Sequence, residues 1–134
     1  MSGFAYNPGM AAYRSTLAHG GVAGADPHAL VQMLIDAAFD RMVAARGCIE
    51  RGDLAGKAKL LHSCVILIAE LRGSLDLEKG GALARNLRDL YEYMTQRLLV
   101  ANVRSDAGCI TEVLSLLGEI RSAWVAIGPQ VRTA

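Results

Sequence analysis

Apolar positions in this chain recur at steps of three and four over four long stretches, the spacing that puts side chains on one face of an α-helix. Leu30, Val31, Leu34, Ala38, Met42, Ala45 and Ile49 make the first stripe, and Leu60, Leu61, Cys64, Leu67, Ile68, Leu71 and Leu75 the second. The third is Leu83, Leu87, Leu90, Tyr91, Met94, Leu98 and Ala101, and the fourth Ile110, Val113, Leu114, Leu117, Ile120 and Trp124. The residues between the stripes follow helix-end chemistry. Asp26 suits an N-cap and Pro27 the first helical position, where its missing N–H costs nothing, so a first helix should run to about Arg51. Gly52 then ends it and Asp53 caps a second helix from about Leu54 to Leu75. The pair Gly80 and Gly81 reads as the reversal into the third, Ser105 or Asp106 as the cap of the fourth, and Gly128-Pro129 as its stop after about Ile127. Short connections make consecutive helices neighbours. The pattern therefore predicts an all-α, antiparallel, up-and-down four-helix bundle over residues 26–128, with an N-terminal arm at 1–25 and a C-terminal tail at 129–134.

Four core stripes do not use up the apolar residues. Met33, Ile35, Phe39 and Val43 spread hydrophobic surface around the first helix, Ile66 points away from the second stripe, and Tyr93 and Val100 fall off the third. A second apolar strip on a helix that already faces a core needs another partner, inside the bundle or outside it. The arm carries the turn signal Asn7-Pro8-Gly9 and the breaker Gly20-Gly21, with room between them for a short helix on which Tyr13 and Leu17 share a face. It reads either as a mobile segment whose Tyr6, Tyr13 and Leu17 cover an apolar surface of the bundle, or as an ordinary frayed terminus.

Composition narrows the functions. The 134 residues hold 14 Lys and Arg against 13 Asp and Glu, a net charge of +1 that gives no electrostatic footprint for nucleic acid or an anionic membrane. Hydrophobic residues make up 52% and aromatic residues only 5%, a balance that suits packed helices in a single domain. No apolar run is long enough to span a bilayer, and the N-terminus lacks a signal-peptide pattern, so a cytoplasmic protein without membrane insertion is expected. Cys48, Cys64 and Cys109 form no C-x-x-C pair and read as small core hydrophobes. No glutamate precedes a histidine by three residues, as a di-iron bundle needs, and His19, His28 and His62 fall on separate elements with solvated or capping roles expected. Neither a phosphate loop nor a nucleophile elbow is present. Hence no catalytic residue, metal or cofactor is expected, and an interaction module is the reading that spacing supports.

The run S-L-D-L-E-K-G-G-A-L-A-R-N-L-R-D-L-Y-E-Y-M-T-Q-R-L-L-V-A-N-V-R-S-D, residues 74–106, resembles the signature region of the FliS flagellin export chaperones. D-P-H-A-L-V-Q-M-L-I-D-A-A at 26–38 resembles the family's first-helix pattern, E-R-G-D-L at 50–54 its first turn, and Tyr13 and Trp124 its N-terminal tyrosine and late tryptophan. Four positions depart from that pattern: Asp26 stands for serine, Ile35 for an aromatic residue, Ala37 for glycine and Ala82 for glutamate. The resemblance implies a cytosolic, non-enzymatic chaperone that binds the disordered C-terminal segment of flagellin, prevents premature polymerisation, and docks on the cytosolic domain of the export gate protein FlhA. It also implies that the N-terminal arm can occupy part of the binding surface when flagellin is absent. On the residues, Tyr93, Val100, Ile66, Met33 and Phe39 are the expected client contacts, with Leu90, Leu98 and Asn102 lining the flank of the third helix. The competing expectation is a structural bundle that buries the same strips by self-association, as a weak homodimer without client.

Overall fold

The computed structural model describes residues 27–133, which form four helices: α1 (Pro27–Arg51), α2 (Leu54–Gly73), α3 (Leu77–Arg104) and α4 (Ala107–Thr133). The expected contacts Tyr6, Tyr13 and Leu17 and the cap Asp26 lie outside the described residues. The connections are short and each helix packs chiefly on its two neighbours, α1 on α2 and α4, and α3 on α2 and α4. The expected antiparallel bundle is what these contacts describe, with α1 and α3 diagonal across it.

The core is the meeting of the four stripes. Ala38, Met42 and Ala45 of α1, Cys64, Leu67 and Ile68 of α2, Met94, Leu98 and Ala101 of α3, and Ile110, Val113 and Leu117 of α4 are all shielded from solvent. The three cysteines are buried and unpaired, as their spacing implied. Burial pushes the Cys64 thiol up to about 12, beyond what the Arg41 charge offsets. Ile35, placed with the outer residues by periodicity, is instead fully buried.

Asp53 caps α2 by accepting from Gly56 N at 2.9 Å, after Gly52 takes the left-handed φ of 75° that closes α1. At the next turn, α2 ends at Gly73 and the chain reverses through 74–76, where Asp76 caps α3 by accepting from Lys79 N at 3.0 Å. The reversal therefore precedes Gly80 and Gly81. These glycines lie inside α3, and Gly81 kinks it with φ 56° and ψ −133°, a backbone setting that glycine alone adopts cheaply. Leu83, two residues beyond the kink, leaves the core stripe and is 68% exposed.

Ser105 and Asp106 divide the last turn between them. Ser105 closes α3 in the left-handed region, while Asp106 opens α4 by accepting from Gly108 N at 2.9 Å. The side chain of Lys57 passes from α2 into this turn and is 6% exposed; its Nζ donates to Asn102 O and Ser105 Oγ, both at 2.8 Å. A buried ammonium thus satisfies a free carbonyl at the negative end of the α3 dipole. α4 does not stop at Gly128-Pro129 and continues to Thr133. Pro129 has the φ a helix needs, so a single proline near the C-terminal end costs one backbone hydrogen bond and leaves the remaining turn intact.

Candidate functional site

Two kinds of apolar surface remain after the core is assembled. The first is a groove of about 540 Å³ at the end of the bundle where α1 and α3 begin and α4 finishes. Val31 and Ile35 of α1, Leu75 of the connection, Leu83 and Leu87 of α3, and Ile120 and Trp124 of α4 line it. At its rim, His28 and Trp124 stack with ring centroids 4.6 Å apart and planes within 5°. His28 Nε2 donates to Trp124 O at 2.7 Å and Trp124 Nε1 donates to His28 O at 3.0 Å. His28 is therefore no solvated helix-start residue: it joins α1 to α4.

The second surface follows the outer side of α3. Tyr93 is 41% exposed, Leu99 51% and Val103 85%, with Val100 half-buried between them. Tyr93 is fixed at its tip, where its hydroxyl donates to Glu112 Oε2 at 2.5 Å while Arg97 Nε donates to Glu112 Oε1 at 2.8 Å. These donors hold the Glu112 carboxyl below its ordinary range, the Tyr93 hydroxyl first and Arg97 next, and the same bond raises the Tyr93 hydroxyl. That bond ties the Tyr93 side chain of α3 to α4 while 41% of the residue stays exposed, and a tethered aromatic loses less entropy when something packs on it.

The expected client contacts are not gathered into one pocket. Met33 is half-buried on α1, Ile66 half-buried on α2, and Tyr93 and Val100 lie on α3. Because α1 and α3 are diagonal, no compact partner spans all of them. Phe39 packs on the core from the α1–α4 seam and carries the Arg121 guanidinium 4.0 Å above its ring, so its face is already used. Leu98, placed both in the third core stripe and on the flank of the third helix, has no exposure: it belongs to the core stripe, as its spacing predicts, and is not a surface contact. Leu90 is half-buried against the core, and Asn102 is half-buried with its backbone carbonyl held by Lys57.

Leu99 and Val103 were missed. Their four-residue spacing on the side of α3 away from its core stripe was a legible signal. Among the described residues, no group of three or more His, Cys, Asp or Glu comes together as a metal site would need, and no helix is long and apolar enough to cross a membrane.

The chain matches the family described as Flagellar protein FliS over residues 9–131. It is similar to the flagellar secretion chaperone FliS of Salmonella typhimurium, 43% identical over 123 residues that cover 91% of each chain. Similarity extends to the flagellar secretion chaperone FliSB of Pseudomonas aeruginosa, 40% identical with 88% of this chain and 94% of that one covered. FliS of Vibrio cholerae is 32% identical over 89% of this chain and 88% of its own.

Proposed function

Because the chain belongs to the FliS family, a family of flagellar secretion chaperones and not of enzymes, we propose that its client is the disordered C-terminal segment of flagellin, bound in the cytoplasm. The observation that carries this reading is the length of α3 over which large apolar side chains stay in solvent, from Leu83 through Tyr93 and Leu99 to Val103. A disordered segment that folds on binding must bury on the order of 1,000–3,000 Å² to offset its ordering cost. One groove of about 540 Å³ is too small for that alone. Groove and outer α3 surface together suit an extended client that seats a helix in the groove and continues along the bundle. Met33 and Ile66 add contacts for a client that wraps further.

Covering the segment would withhold it from flagellin polymerisation, and the loaded complex would then dock on the cytosolic domain of FlhA. The arm, through Tyr6, Tyr13 and Leu17, would cover part of the same surface when no client is present. Pro27, the first described residue after the arm, is one of the residues that line the groove.

Isothermal titration of the C-terminal flagellin peptide from the same organism tests the reading. We expect binding with a clearly negative heat-capacity change, lost in Tyr93→Asp while the helical signal and unfolding midpoint are kept. A wild-type protein that does not bind its own flagellin overturns it. Sedimentation against concentration addresses the second reading, since a second copy could bury the same exposed leucines. A homodimer that uses them and ignores flagellin favours self-association.

A further inference from the structure

The first turn of α3, Leu77–Gly80, is set off from the rest of the helix by the kink at Gly81. Its capping bonds both run to Asp76, whose carboxylate accepts from Lys79 N and whose carbonyl accepts from Gly80 N at 2.8 Å. Asp76 and Gly80 line the apolar groove, and so does Leu83 on the other side of the kink. Leu77 and Leu83 are 39% and 68% exposed, so two large apolar side chains flank the hinge in solvent, Leu83 on the groove's lining and Leu77 next to the lining residue Asp76.

Both glycines are required by the kinked shape. At Gly81 the φ of 56° disfavours any side chain, and at Gly80 an added Cβ would lie 2.6 Å from the Cβ of Ala84. In a straight helix, residues four apart are separated by about 5–6 Å between Cβ atoms, so that clash belongs to the kink alone. The two positions that forbid side chains are also those that leave the backbone most free to change its angles.

We propose that Leu77–Gly80 is a hinged flap that pivots at Gly81 and closes Leu77 over a client segment seated in the groove against Leu83. This rests on the client reading above, and adds that the groove's mouth is set by the occupant. Groove width then adapts to side chains of different size, which a rigid rim of leucines cannot do.

Amide hydrogen exchange of the wild-type protein, free and with the flagellin C-terminal peptide, tests the flap. The peptide should slow exchange at the Lys79 and Gly80 amides of the flap by roughly tenfold or more, together with Ile120–Trp124 of the opposite wall. Protection of the α4 wall with none at Lys79 and Gly80 overturns the flap and leaves the groove reading standing. Absence of protection at both rejects the groove as a client site and the flap with it. Gly81→Ala gives a second readout: peptide affinity should fall about tenfold, with cooperative unfolding retained, because one of the two positions of the turn is lost. Gly73→Ala is the control, since its added methyl meets nothing within 4 Å. Unchanged affinity in a folded Gly81→Ala protein overturns the hinge.

Discussion

Trp124 and His28, 96 positions apart, each donate a side-chain hydrogen bond to the other's backbone carbonyl while their rings stack. The pair fastens the start of α1 to the end of α4 at the groove rim. Trp124→Phe keeps a ring but removes the Nε1 donor to His28 O, whose place inside α1 leaves it a helical partner, and should cost about 0.5–1.5 kcal/mol in urea unfolding.

Gly128 buries its backbone against the same histidine. A Cβ there would lie 2.6 Å from His28 Cε1. Gly128→Ala should therefore destabilise by about 1–3 kcal/mol, though alanine is the better helix former, because the ring must move and its bond to Trp124 O with it. A stabilised variant would show that the contact relaxes freely.

Lys57 should be among the most sensitive polar positions. Lys57→Met retains most of the buried stem but leaves Asn102 O and Ser105 Oγ without the ammonium, and should cost about 1–3 kcal/mol in denaturant midpoint. Flagellin binding, measured at a temperature where the variant is folded, should change little.

Leu98 and Tyr93 separate packing from recognition. Leu98→Ala opens a cavity in the core and should lower stability by about 2–5 kcal/mol, leaving peptide affinity near the wild-type value below the melting temperature. Tyr93→Asp should do the reverse. Loss of affinity in both, at matched folded fraction, would place Leu98 in the interface after all.

Two groups predict opposite pH dependences. Glu112 is held below its ordinary value of 4.5 by Tyr93 and Arg97, so its contribution is complete above pH 4.5 and is lost as pH falls through the lower folded value. The wild-type denaturant midpoint should drop more steeply in acid than that of Glu112→Gln. Cys64 is raised from 9.0 to about 12, so the folded state holds its proton and stability declines as pH rises above 9. Cys64→Ala should flatten that alkaline decline, whatever it does to the midpoint near neutrality.

Periodicity carried most of the fold, because helix phase follows directly from the spacing of leucines and alanines. It failed where the backbone departs from a regular helix or where tertiary contacts override local preference. Leu83 fits the α3 stripe by count, but the kink at Gly81 leaves it at the groove mouth. Ile35 lies off the stripe by count, yet the opening between α1, α3 and α4 draws it inward. Lys57 sits at a core-facing position among apolar residues, and nothing local reveals the carbonyl it reaches 45 residues away. The site was partly legible in the same way. Tyr93 was readable as a residue off-phase with its own core, whereas its bond to Glu112 depends on how α3 and α4 meet.

The two ends of the bundle are built differently. Lys57, Ser105 and Asp106 lock the end where α3 passes into α4, whereas the other end holds the kink, the groove and the interrupted first turn of α3. At the groove end the α1–α4 side is clasped by His28 and Trp124, so the least secured element there is the first turn of α3, held by its bonds to Asp76. Thermal or mechanical loosening should start at the first turn of α3 and spread along that helix towards the lysine, which would give a client bound as proposed a preferred direction of detachment. Such a client can be peeled from one end by small successive losses, without the whole set of contacts breaking at once.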